Sequence, residues 1–188
     1  HMGGRAALLH ALSAKGFGVG VLSYRGYGKS GGKPTEKGLY QDARSLIGFI
    51  ESQGVSPDHI LLYGESLGTG VATQMAVEYP VAALALQSPY ISVEDRASEL
   101  YRMIPVRWLL KDKYRSIDKI GKIKATLIIF HGELDNVIPV AHGRRLLEAA
   151  PEPKQAYFLP HTSHNDFDST LISEHVLDFA RQYKLVKP

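Results

Sequence analysis

A chain of 188 residues, 44% hydrophobic and 22% charged, is long enough for one compact domain with a real core and short for two. Its net charge of +3 falls well short of the dense Lys/Arg footprint of a nucleic-acid binder, and without cysteine it can form no disulfide, thiolate metal site or cysteine nucleophile. No apolar run approaches the length of a bilayer span.

His1-Met2 reads as the remnant of an expression tag, so a native targeting or anchoring segment would lie upstream and the compartment stays open. Between residues 5 and 13, Ala6, Leu8, Leu9 and Leu12 recur at helical spacing and Gly16 follows as a C-terminal glycine, which predicts an opening helix. Residues 17–24, FGVGVLSY, predict a short apolar strand that runs into a glycine-rich loop at 26–32. Pro34, Thr35 and Glu36 open a second helix with Leu39, Ala43, Leu46, Ile47 and Ile50 on one face, stopping near Gly54. Strands are predicted at 60–63, 81–87, 125–130 and 155–159, and helices at 67–78, 139–150 and 169–183; the stretch 88–124 is irregular. The alternation implies one α/β domain over 1–188, with a mainly parallel sheet and helices on both faces.

Residues 64–68 read GESLG, a G-x-S-x-G between a predicted strand and a predicted helix. That context is what a nucleophile elbow requires, with Ser66 thrust out at the strand's end and the following N–H, that of Leu67, free to face an oxyanion. Glycines on both sides suit a backbone too tight for a Cβ. Three fixed positions arise by chance in roughly one chain in fifteen to twenty of this length, so partners are needed.

A serine hydroxyl needs a base, and the base needs an orienting acid. HGELD at 131–135 follows the strand ending at 130, and HTSH at 161–164 follows the strand ending at 159. Serine, then acid, then histidine is the chain order of α/β-hydrolases, and all three fall beyond carboxyl ends of strands, where open parallel sheets place their chemistry. Position alone leaves Glu133 beside Asp135, and His161 beside His164.

Residues 24–43, YRGYGKSGGKPTEKGLYQDA, resemble the segment that marks the Bem46-like, capless α/β-hydrolases related to the ABHD13 and ABHD17 proteins. The same family shows GESLG at the elbow, H-G-x-x-D at the acid and HND at the histidine, matched here at 64–68, 131–135 and 164–166. The resemblance runs from about Gly16 to the last helix. It selects Asp135 and His164, and it implies a serine hydrolase of esters or thioesters with a Ser66-His164-Asp135 triad, one oxyanion donor at Leu67 and no cofactor. The implied partner is a small or lipid-like acyl substrate, in the cytoplasm or at a membrane periphery if the native N-terminus carries an anchor.

One departure stands out. The family's second oxyanion donor comes from an H-G-N/G-type turn after an earlier strand, and here only Gly3-Gly4 remains as its tail. The expectation is an N-terminally truncated α/β-hydrolase, lacking a strand that would lie between 17–24 and the elbow strand.

The stretch 91–116 predicts a short lid-like insertion, whose apolar residues either pack over the sheet or wall an acyl site. Residues 96–124 hold nine Lys/Arg and three Asp/Glu; a solvated face is the plain reading, and an anionic lipid surface or a CoA ester the sharper one. The G-x-G-x-x-G at 26–31 fails as a dinucleotide site because no helix starts at its third glycine, and the GKS at 28–30 fails as a P-loop because Ser23 stands where glycine is required. His10, His59, His142 and His175 lack metal-ligand spacing, and His131 is read as shaping its turn.

Overall fold

The computed structural model describes residues 2–184, with side chains from Ala6 onward; His1, half of the expected tag remnant, lies outside the described residues. Helix α1 (Met2–Ala14) ends where Gly16 takes φ +88°, a conformation only glycine adopts at low cost. Helix α2 (Glu36–Ser52) starts at Thr35, whose hydroxyl accepts from the Gly38 N–H, and a 3₁₀ turn (Pro57–His59) then leads into β1 (Leu61–Glu65). The remaining elements are α3 (Leu67–Glu78), β2 (Ala83–Gln87), α4 (Val93–Leu100), α5 (Val106–Leu109), α6 (Ile117–Ile120), β3 (Thr126–Gly132), α7 (Val140–Ala149), β4 (Lys154–Leu159) and α8 (Ser169–Gln182).

The four strands form one parallel sheet in the order β1-β2-β3-β4, with Leu61 opposite Ala83, Ala83 opposite Thr126 and Leu127 opposite Lys154. Alternate residues of β2 and β3 serve opposite faces. Leu84, Leu86, Leu127 and Ile129 pack with α2, α3 and α7 through Leu39, Ile47, Met75 and Leu146. Ala83, Ala85, Ile128 and Phe130 pack with α1 and α8 through Leu8, Leu12, Ile172, Val176 and Phe179. Burial on both faces makes these strands continuous apolar runs, and each fully buried Leu or Ile contributes about 1.5–3 kcal/mol.

One predicted strand is absent. Residues 17–24 join no ladder among the described residues, because β1 at the sheet edge pairs only with β2. A strand is a property of two segments, and apolar composition alone does not supply the partner. Phe17 packs beside α1 and α8, Leu22 and Tyr24 pack on the core cluster that includes α2 and α3, and Val19 and Val21 are exposed.

The segment after it is held by side chains. Arg25 donates to Asp42 of α2 from its backbone N (2.9 Å), Nε (2.9 Å) and Nη2 (2.6 Å). Gly38 is required beneath this pair, since a Cβ there would lie 2.7 Å from Arg25 Cδ. Glu36 ties the start of α2 to the return of the 91–116 stretch, accepting from the N–H groups of Lys113 (2.7 Å) and Tyr114 (3.0 Å) and from Tyr40 Oη (2.7 Å).

Candidate active site

Between the end of β1 and the start of α3 the chain reverses through one residue. Ser66 carries the turn at φ 50°, ψ −119°, a strained conformation for a residue with a Cβ. Its N–H donates to Gln87 O (3.0 Å), and its carbonyl accepts from both the backbone N (2.9 Å) and the hydroxyl (2.6 Å) of Thr69. Gly64 is forced by packing, since a Cβ there would meet Gly68 O at 2.7 Å and Thr69 Cα at 2.8 Å. Gly68 is not, because outside its own helix the nearest atom is Tyr24 Oη at 4.0 Å. The expected crowding on both sides of the serine holds on one side only.

β3 and β4 deliver the other two groups. His164 lies with Nδ1 2.7 Å from Asp135 Oδ2 and Nε2 3.1 Å from Ser66 Oγ. A carboxylate only accepts, so Nδ1 carries the proton and the Nε2 lone pair faces the serine hydroxyl. Asp135 is buried, with Oδ1 accepting from the N–H groups of Val137 (2.9 Å) and Ile138 (2.7 Å). Burial pushes its carboxyl up, but the hydrogen bonds from His164 and the Ile138 N–H outweigh that and hold it below the ordinary carboxylate value.

Glu133 and His161, the alternatives, stand apart. Glu133 pairs with Arg144 at 2.5 Å and His161 is exposed on the turn after β4. His131 is fully buried, its Nε2 2.8 Å from the Ile138 carbonyl, and burial depresses its pKa so that the ring stays neutral. Leu67 opens α3, and its N–H is one of the four that a helix start leaves without an intrahelical acceptor; Tyr90 Oη fixes the same turn by donating to Leu67 O (3.1 Å). Gly3 and Gly4, read as the tail of the second oxyanion turn, lie in the opening turn of α1.

Sequence reasoning misses the supports. Arg96 of α4 donates to the carbonyls of Val137 (2.6 Å) and Asn136 (3.3 Å), bracing the loop that carries Asp135. His142 of α7 accepts from the Ile91 N–H at Nδ1 (3.3 Å) and meets Glu99 through Nε2 (3.1 Å). Neither contact has a local spacing that could announce it, since the partners lie 40 to 51 residues apart.

A parallel sheet clothed by helices on both faces, with a serine at the turn after β1 and an acid and a histidine beyond β3 and β4, is the architecture of an α/β-hydrolase. The chain belongs to the hydrolase family described as serine aminopeptidase, S33, which matches residues 1–119, and is related to the ABHD17 proteins within the α/β-hydrolases. It is 40% identical over 163 residues to an uncharacterized protein of Mycobacterium tuberculosis, covering 86% of this chain and 58% of that protein. With alpha/beta hydrolase domain-containing protein 17B of Xenopus laevis it shares 36% identity over 146 residues, or 77% of this chain and 49% of the relative. The chain thus spans about half the length of these curated relatives. Among solved structures, the esterase domain of a Rhodothermus marinus protein superposes with a TM-score of 0.74 at 22% identity, covering 97% of this chain and 80% of that one. The monoacylglycerol lipase of Paleococcus ferrophilus gives 0.72 at 20% identity, covering 97% and 90%. These two likenesses establish the fold.

Proposed function

We propose that this chain is a serine hydrolase that cleaves ester or thioester bonds through an acyl-enzyme on Ser66, with His164 as base and Asp135 as its orienting acid. The observation that carries the reading is the bridging imidazole, 2.7 Å from Asp135 and 3.1 Å from Ser66. In the first half-reaction Ser66 Oγ attacks the acyl carbonyl as His164 Nε2 takes its proton, and the Leu67 N–H faces the oxyanion. Collapse breaks the bond to the leaving alcohol or thiol, which takes the proton from His164. Water then attacks the acyl-serine, with His164 again as base, and releases the acid. Residues 1–188 act in this reading as one unit, with 91–116 as a lid-like insertion.

Support comes from the related esterase and lipase folds and from the elbow geometry of Ser66. A fluorophosphonate probe tests it. The folded chain should label at Ser66 and the Ser66→Ala variant should not; a folded chain that stays unlabelled supports a non-catalytic module. Parallel rates on p-nitrophenyl esters, acyl thioesters and peptide p-nitroanilides separate esterase and thioesterase chemistry from that of a peptidase, a distinction that fold and triad do not make.

A further inference from the structure

Ile91, Val93 and Tyr114 pack into the core, but six large apolar side chains between 100 and 109 neither pack over the sheet nor line a closed site. Met103 is 96% exposed and Trp108 92%, with Leu100, Tyr101, Ile104 and Leu109 all around half exposed or more, while Val106 turns inward. The tip is built rather than loose. Helices α4 and α5 pack together, Arg107 Nη2 reaches Asp95 at 2.9 Å, and Lys113 Nζ reaches the Arg107 carbonyl at 3.0 Å. Arg96 joins its base to the loop behind Asp135, so the stretch is anchored next to the candidate site.

The charges sort themselves in the same stretch. Each acid between 91 and 116 is engaged: Glu94 by Lys113 and Arg115, Asp95 by Arg107, Glu99 by Arg96 and His142, and Asp112 by the Glu36 N–H. Arg102 and Lys111, flanking the apolar residues, have no ion pair among the described residues. The charge left over at the tip is therefore cationic. Exposed aromatic and long aliphatic side chains beside unpaired cations are the composition of a segment that lies in an anionic interface.

We propose that the tip at 100–111 is a docking face for an anionic lipid surface, with Met103, Ile104, Trp108 and Leu109 entering the headgroup boundary and Arg102 and Lys111 meeting lipid phosphates. The proposed contact is peripheral; no described helix is long and apolar enough to cross a membrane. Docking here would hold the candidate active site close to the bilayer.

Trp108 is the chain's only tryptophan, so its emission reports this face alone. The experiment uses the Ser66→Ala chain, which separates binding from hydrolysis, so a failure here is distinct from a failure of probe labelling. Vesicles of phosphatidylglycerol in phosphatidylcholine should blue-shift the emission and sediment the chain, whereas pure phosphatidylcholine should bind at least tenfold more weakly. Raising salt from about 0.1 to 1 M, which contracts the Debye length from about 10 to 3 Å, should release it. Arg102→Gln and Lys111→Gln should each weaken binding by about fivefold. Met103→Ala with Trp108→Ala should abolish sedimentation with an unchanged thermal melt, because both side chains are solvated. Equal binding to both vesicle types, salt-insensitive binding, or none overturns the proposal. So does a blue shift that grows with protein concentration in buffer alone, which would assign the face to a second copy.

Discussion

His131 donates its Nε2 proton to the carbonyl of Ile138 at 2.8 Å, and this bond closes the turn in which Asp135 receives the N–H groups of Val137 and Ile138. A carbonyl cannot donate, so the tautomer is fixed. The buried imidazole therefore acts on the site through the backbone that holds Asp135.

That arrangement predicts an acid limb in stability. Burial lowers the folded pKa of His131 below its usual value of about 6.5, so the unfolded chain binds the proton first as pH falls. The stabilising contribution is complete above that value and is lost as pH drops from it towards the lower folded pKa. Urea unfolding of the chain should give a free energy that declines between about pH 7 and 5, and His131→Gln should flatten that slope. His131→Ala should cost about 1–3 kcal/mol at pH 8, since the Ile138 carbonyl is left unpaired.

Asp135→Asn should fold and yet lose activity. An amide at this position presents an N–H that competes for the Nδ1 side of His164, so the imidazole no longer offers Nε2 to Ser66. The drop in kcat should be on the order of 10⁴-fold, with KM little changed. The depressed carboxyl also has a stability signature of its own. Its contribution is present above the ordinary value of about 3.9 and disappears as pH falls through the lower folded value, so the variant should lack the steepest part of the acid transition.

How far the sequence carries depends on whether a feature is local. β2 and β3 are legible because double-sided burial leaves unbroken apolar runs, and the positions of Ser66, Asp135 and His164 because strand ends mark them. The preference for Asp135 over Glu133 and for His164 over His161 needs the family resemblance, since both acids follow β3 and both histidines follow β4. Residues 17–24 mislead because their composition suits a strand while the ladder offers no neighbour. The Arg25–Asp42 pair is visible only as part of a family segment, its 17-residue separation spanning a loop with no periodicity. Exposure of Met103 and Trp108 is illegible for a further reason: an apolar stretch reads the same whether it faces a core or solvent.

The two glycines beside the serine should part company. Gly64→Ala places a methyl against the backbone of α3, which cannot yield as a flexible side chain would, and should destabilise by about 1–3 kcal/mol. Gly68→Ala meets open space in the first turn of a helix and removes backbone freedom from the unfolded chain. It should leave stability unchanged or raise it by up to about 1 kcal/mol. Chemical denaturation of both variants checks the contrast, and equal losses would contradict the crowding assigned to Gly64 alone.

Arg96 gives the sharpest test of whether the loop behind Asp135 must be braced from outside. Its side chain is largely buried and donates to two carbonyls, those of Val137 and Asn136, from one guanidinium. Lysine carries the charge but offers a single point of donation, so it cannot hold both carbonyls in that geometry. Arg96→Ala frees the loop, and with it the orientation of Asp135 and His164. Misplacement of about 1 Å in such a chain can cost about a hundredfold in rate. Arg96→Ala should therefore lower kcat by between about 10- and 100-fold, with a parallel fall in the rate of fluorophosphonate labelling, and Arg96→Lys should fall between it and the parent chain. KM for a short soluble ester should hold steady, because Arg96 reaches the loop behind Asp135 through the backbone at 136–137. A variant that lost stability but kept its labelling rate per folded molecule would show instead that Arg96 serves the fold and leaves Asp135 untouched.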